Sequence, residues 1–155
     1  MDTSRNAEMK RFNEALIAEF RAAGGRLGGA FEGRQMLLLT TTGRRSGIPR
    51  TSPLAFSRDG DRYVVAASNR GADDHPSWFR NLTADPDAII EIGGRTLPVR
   101  AAEITDRTER TRLYAAHKAL VPSFGDYESA TERTIPVVVL QPVGQAARSF
   151  LDELG

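Results

Sequence analysis

The stretch MLLLTTTGRRSGIPRTSPLAFSRDGDRYVVAAS, from Met36 to Ser68, decides the fold. It opens on a short apolar and β-branched run, residues 36–42, and breaks at the turn formers of residues 43–49. It resumes as a second extended segment over residues 50–57, where Pro53 demotes the strand to an edge or a bulge because proline has no N–H to give a ladder. Asp59-Gly60 is a hairpin signal, and residues 62–68, rich in valine, form a third strand. Strands that follow one another through turns, without βαβ alternation, argue against a dinucleotide-binding parallel sheet.

The flanks extend this pattern. Downstream, Asp73-Asp74-His75-Pro76 reads as a helix start, with acids near the N-terminus and proline at the first helical position; the helix ends before Asp85-Pro86. Residues 88–92 and 95–104 flank Gly93-Gly94 as a second hairpin. Asp106 and Glu109 have capping-box spacing, opening a helix that runs to about Leu120. An irregular stretch follows, and residues 135–140 are the final strand. Upstream, residues 6–23 carry Met9, Phe12, Leu16, Ile17 and Phe20 as one apolar helical stripe, with Lys10, Arg11, Glu14 and Arg21 elsewhere. Gly24-Gly25 stops that helix. Gly28, Gly29 and Gly33 follow in a spacing that matches no nucleotide-binding loop and reads as a linker. The expected organisation is an amphipathic helix and linker over residues 1–33, then a barrel domain over residues 34–155. The class is α+β with a central barrel.

Composition narrows the chemistry. Twenty-one basic against 20 acidic residues leave a net charge of +1, so any anion site must be local. The absence of cysteine excludes disulfides, thiolate metal sites and cysteine nucleophiles. No apolar signal core follows the first residues, and no apolar run is long enough to span a bilayer, so the expected location is the cytoplasm. A peripheral membrane contact of the N-terminal helix stays open beside packing on its own barrel.

Two segments can carry function. The turn between the first two strands holds Arg44, Arg45 and Arg50 with Gly43, Gly47, Ser46 and Thr40–Thr42 hydroxyls. Glycines let backbone N–H groups approach an anion, and guanidinium forks match phosphate oxygens. The alternative is a solvated basic turn on a barrel edge. The second segment runs from Ala66, Ala67 and Ser68 through Asn69 and Gly71 into a helix bearing Trp78 and Asn81. Small side chains at a strand end let a flat ring lie against the backbone, and free N–H groups at the turn can bond its carbonyls. Trp78 and Asn81, three apart, share a helix face; taken by itself, Trp78 reads first as plain core packing. A third stretch, Val121 to Tyr127, places Phe124 and Tyr127 on what reads as a loop that could gate a pocket or merely cover the core. His75 reads as part of a helix start and His117 as part of a polar helix face; neither has a partner at metal or nucleophile spacing, so no metal is expected.

Taken together, the chain resembles the deazaflavin (coenzyme F420)-dependent nitroreductase family of split β-barrel oxidoreductases. The resemblance is carried in order by Leu37 to Gly47, Asp59 to Ser68, His75 to Leu82, Asp85-Pro86 and Arg133 to Val139. It implies a split barrel, FMN-binding-like, of about six to seven mostly antiparallel strands with an N-terminal helix and two further helices. It also implies that Arg44, Arg45, Ser46, Gly47 and Arg50 hold the cofactor's phosphate and acidic tail, and that Pro53 and Leu54 line its path. Ala66, Ala67, Ser68, Asn69 and Gly71 would contact the ring system, with Trp78 and Asn81 behind them. Tyr127 matches a pocket tyrosine, whereas Phe124 and Val121 stand where the family offers hydroxyls, which favours a quinone-like acceptor over a nitroimidazole. No residue is an obvious general acid; Ser68 and Tyr127 are the candidates to stabilise charge growing on an acceptor oxygen.

Two rivals remain: an FMN-dependent reductase on the same barrel, and a non-catalytic cofactor-binding or carrier protein. Nucleic-acid binding ranks last, because aromatics do not interleave with the arginines. The sequence leaves the oligomeric state open.

Overall fold

The computed structural model describes residues 3–27 and 35–143, so the linker reading of Gly28, Gly29 and Gly33 lies outside the described residues. The elements are α1 (Thr3–Ala22), β1 (Met36–Thr42), β2 (Pro49–Ala55), β3 (Ser57–Asp59), β4 (Arg62–Ala66), a 3-10 turn at Asn69–Gly71, α2 (Ser77–Ala84), β5 (Asp87–Ile92), β6 (Arg95–Glu103), α3 (Arg107–Leu120), α4 (Ser123–Ala130) and β7 (Val137–Pro142).

The seven strands of the described residues form one antiparallel sheet in the order β2-β1-β5-β6-β7-β4-β3. Its two outermost strands, β2 and β3, are consecutive in the chain and separated only by Phe56. A sheet whose opposite edges are joined by one residue has to curl upon itself, which gives the expected split barrel. Residues 50–57 are therefore not one strand: the chain turns a corner at Phe56, whose buried ring meets Tyr63 edge-on at 5.6 Å. Pro53 sits on the edge strand, as its missing N–H requires.

Strand alternation sorts the interior. Leu37, Leu39, Val65, Ile90, Val99, Val138 and Leu140 fill the barrel together with Trp78, Phe79 and Leu82 of α2. Val64, Ala66, Val137 and Val139 face the other way, onto Leu113 and Tyr114 of α3 and Phe124 of α4. Each buried valine, leucine, isoleucine or phenylalanine among them contributes roughly 1.5–3 kcal/mol.

The N-terminal helix packs on the barrel through Leu16 and Phe20, both buried. Arg21 binds Glu91 in a fork, Nε to Oε1 at 3.0 Å and Nη2 to Oε2 at 2.9 Å. Just past the helix, Gly25 has φ +92°, and a Cβ there would lie 2.7 Å from the Gly93 backbone, so only glycine permits the approach. Phe12, expected in the same stripe, is 46% exposed. Among the described residues no helix is long and apolar enough to cross a membrane.

Four local expectations change. The stretch read as an irregular loop is α4, so among the described residues three helices follow the N-terminal one rather than two. Pro76 does not occupy the first turn of α2; it is the extended residue before it. The capping box at α3 is half made: Asp106 accepts from Glu109 N at 2.9 Å, while the Glu109 carboxylate turns to Arg112 instead of reaching back. His117, expected on a polar face, is 1% exposed. It shares a hydrogen bond with Ser57 Oγ at 3.0 Å, and its buried Nε2 has no partner among the described residues.

Candidate functional site

The basic turn is built by its own short-range bonds. β1 and β2 pair down to Thr42 opposite Pro49, leaving residues 43–48 as the connection. Gly43 N donates to Ile48 O at 2.9 Å, Gly47 N to Gly43 O at 2.8 Å, and Ile48 N to Ser46 Oγ at 3.1 Å. Ser46 thus holds the turn as an acceptor and keeps its hydroxyl proton to donate. Asn81 on α2 latches the turn to the barrel. Its Oδ1 accepts from Arg44 N and Nη1, and its Nδ2 donates to Thr41 Oγ1 at 3.0 Å. Among the described residues Arg44, Arg45 and Arg50 have no carboxylate partner, and all three are exposed.

The second segment is conformationally specialised. β4 ends at Ala66, and Ala67 and Ser68 are buried. Ser68 is right-handed (φ −75°, ψ −30°), whereas Asn69 (φ 47°) and Arg70 (φ 56°) are left-handed. A right-handed residue followed by a left-handed one turns successive N–H groups, here those of Ser68, Asn69 and Arg70, into one concavity suited to an oxygen carrying negative charge. Two left-handed non-glycine residues cost about 1–3 kcal/mol each, so the surroundings must hold them. Gly71, at φ +81°, could not carry a Cβ: it would lie 2.8 Å from Ala130 Cβ and 3.2 Å from Tyr127 O. The turn is thereby pressed against α4.

Between the two segments stands α2, whose Trp78 and Asn81 are both buried on the face expected. Trp78 belongs to the barrel core, and Asn81 spends both ends of its amide on Thr41 and Arg44. Pro53 and Leu54 lie half-buried on β2. Tyr127 is half-buried on α4, its ring 5.3 Å from that of Phe124. Phe124 itself is 8% exposed and meets the His117 ring edge-on at 4.3 Å, so it is a core residue of the α3–α4 side rather than an open pocket wall. Among the described residues no group of three metal-ligating side chains occurs.

Sequence reasoning gave neither Arg133 nor His75 a role in the site, although His75 does stand at the start of α2, directly before its Pro76 cap. The Arg133 guanidinium donates to the carbonyls of Ala67, Ser68 and Ala72, and to His75 Nδ1 at 2.9 Å. Burial, with Arg133 and Arg80 nearby, pushes the His75 ring below its ordinary value, which suits a neutral imidazole accepting at Nδ1. One cleft of about 220 Å³ lies away from both segments, between the end of α1 and the β5–β6 turn, and another of about 280 Å³ borders the second segment at His75 and Phe79, with Glu103 and Arg110 across it.

The family model for F420H(2)-dependent quinone reductases matches residues 12–142. The chain belongs to this family. An F420H(2)-dependent quinone reductase of Mycobacterium tuberculosis (strain ATCC 25618 / H37Rv) is 35% identical over 149 residues, covering 90% of this chain and 98% of the relative. Among solved structures, an F420-H2 dependent reductase (FDR-A) superposes with a TM-score of 0.64 at 33% identity, covering 70% of this chain and 95% of that one. A second, described as a domain-swapped dimer, gives 0.66 at 29% identity, covering 88% and 99%. The F420H(2)-dependent quinone reductase family thus agrees with the fold, the oxidoreductase class and the deazaflavin cofactor that the sequence resemblance implied.

Proposed function

We propose that this chain reduces a quinone-like acceptor with reduced coenzyme F420, bound by its tail at the basic turn and by its ring at the Ser68–Arg70 concavity. The observation that carries the reading is the latch: a buried asparagine aims a turn bearing three exposed arginines, none with a carboxylate partner among the described residues. These residues fit a long anionic cofactor with an oxygen-bearing ring. Arg44, Arg45 and Arg50 would hold phosphate and carboxylates, with Ser46 donating its hydroxyl and Gly47 leaving the backbone open. Pro53 and Leu54 on β2 would line the path. Ala66 and Ala67 leave room for a flat ring, and the N–H groups of Ser68 and Asn69 would bond its oxygens.

When bound, the cofactor supplies a hydride from a ring carbon. The chain supplies position and field. Tyr127, on the helix pressed against Gly71, would donate its hydroxyl to the acceptor oxygen where negative charge grows, and Ser68 is the second donor within the same segment. Phe124 acts only through packing behind Tyr127. Solvent delivers the final proton, since among the described residues no side chain of this site is poised as an acid.

Fluorescence titration of the protein with oxidised F420, with FMN as a parallel arm, tests the binding half. Turnover of an apolar quinone with reduced F420 tests the rest. Saturable F420 binding and quinone reduction are expected. Binding of FMN alone would sink the cofactor assignment, and F420 binding without turnover of any quinone or nitro-aromatic acceptor would make the chain a carrier.

A further inference from the structure

Arg133 lies between α4 and β7, and among the described residues the four hydrogen bonds of its guanidinium all fall on one segment, residues 67–75. Nε donates to Ala72 O at 2.8 Å, Nη2 to Ala67 O at 3.1 Å and Ser68 O at 2.7 Å, and Nη1 to His75 Nδ1 at 2.9 Å. Because the peptide group is planar and trans, drawing the Ala67 and Ser68 carbonyls toward Arg133 turns the N–H groups of Ser68 and Asn69 the opposite way. Those N–H groups are two of the three that form the concavity. The same guanidinium therefore fixes both the orientation of the donors and the unfavourable left-handed backbone of Asn69 and Arg70. Neighbouring contacts back it: Thr131 Oγ1 donates to Asp73 Oδ1 at 3.1 Å, and Asn69 Nδ2 to Asp74 O at 3.0 Å.

We infer that Arg133 is a positioning residue for hydride transfer, holding the N–H groups of residues 68–70 in the arrangement that the ring or acceptor oxygen needs. The inference rests on the F420 reading of the site. It requires a planar fork. Lysine keeps the charge but offers three donors from one point, and cannot serve carbonyls at residues 67, 68 and 72 at once. It also requires a neutral His75, because a protonated ring would set a second cation against the guanidinium, and burial disfavours that form.

Arg133→Ala, Arg133→Gln and Arg133→Lys test it through four readouts. These are amide hydrogen exchange of residues 68–72 in the cofactor-free protein, melting temperature, F420 affinity by fluorescence, and steady-state kinetics with an apolar quinone. Amide exchange should quicken about tenfold or more, reflecting local opening of a turn that has lost its clamp. The rate constant kcat should fall about a hundredfold, as misplaced reacting groups do, with the quinone KM little changed. F420 affinity should fall far less, because the tail arginines are untouched. Ethylguanidinium added to the Ala variant should restore part of kcat, and Arg133→Lys should resemble Arg133→Ala. Wild-type exchange rates and kcat in these variants would overturn the inference. So would a lysine variant with full kcat, or an activity loss accounted for entirely by the unfolded fraction. If wild type neither binds F420 nor reduces a quinone, the functional reading fails and the catalytic half of this inference fails with it. The exchange data then still decide whether Arg133 sets the turn.

Discussion

Asn81 Oδ1 accepts two hydrogen bonds from one residue, Arg44, taking its backbone N–H at 3.2 Å and its Nη1 at 3.0 Å. The amide thus fixes both where the basic turn starts and where its first guanidinium points. Asn81→Ala should leave the Thr41 hydroxyl, 1% exposed, without its donor, and release Arg44. A loss of about 1–3 kcal/mol of stability is expected, with F420 affinity reduced about tenfold. Chemical denaturation and fluorescence titration of the same variant check both. Unchanged affinity would show that the latch is structural only.

Removing the charges themselves should do more. Arg44→Ala combined with Arg45→Ala deletes two charge-assisted contacts, which at about 1.5–3 kcal/mol each weakens F420 binding by roughly two to four orders of magnitude. Wild-type affinity should also fall with salt, because the turn is exposed. A double variant that binds as tightly as wild type refutes the tail site.

Tyr127→Phe should lower kcat for a quinone about tenfold or more while leaving KM near wild type, as expected for a donor engaged as charge develops. Phe124→Tyr, by contrast, places a hydroxyl in a packed core beside His117 and should cost about 1–3 kcal/mol of stability. Steady-state kinetics and thermal melts on both variants separate the roles.

Acid stability should decline over two pH windows. Burial pushes His117 from 6.5 down to about 4 in the folded chain, so the unfolded chain binds the extra proton between those values. Stability is therefore lost as pH falls from 6.5 towards 4, by roughly 3 kcal/mol, and His117→Gln should flatten that slope. Asp59 is held down to about 2 by hydrogen bonds from Arg112 and Arg62, so its contribution is present above its ordinary value of 3.8 and disappears as pH falls towards 2. Asp59→Asn should flatten only this lower window. Urea titrations between pH 7 and pH 2 measure both.

The strands were legible because alternation and the Asp59-Gly60 and Gly93-Gly94 turns are local signals. The corner at Phe56 was not, since nothing within residues 50–57 says that the stretches before and after Phe56 form opposite edges of the sheet. Helix α4 was hidden by Pro122 and Gly125. It is held by long-range contacts, Tyr114 OH to Phe124 O at 2.7 Å and the Gly71 backbone against Ala130. His117 could have been placed: with Leu113, Tyr114 and Val121 it keeps the i, i+1, i+4, i+8 spacing of an apolar face. The basic turn and the small-residue strand end were visible as residue types. What joins them to the rest of the site was not, because the Asn81 latch bridges 37 residues and the Arg133 fork up to 66.

The strand order places β7 as the splice between two ribbons, β2-β1-β5-β6 on one side and β4-β3 on the other. In chain order β7 comes last of the seven, so during synthesis both ribbons leave the ribosome with an unpaired edge each, and neither can shield it until Val137–Pro142 arrives. The joint also pairs Ala66 with Val137, a separation that makes closure a late, entropically costly event. A nascent chain stalled before that strand would be a substrate for chaperones rather than an enzyme.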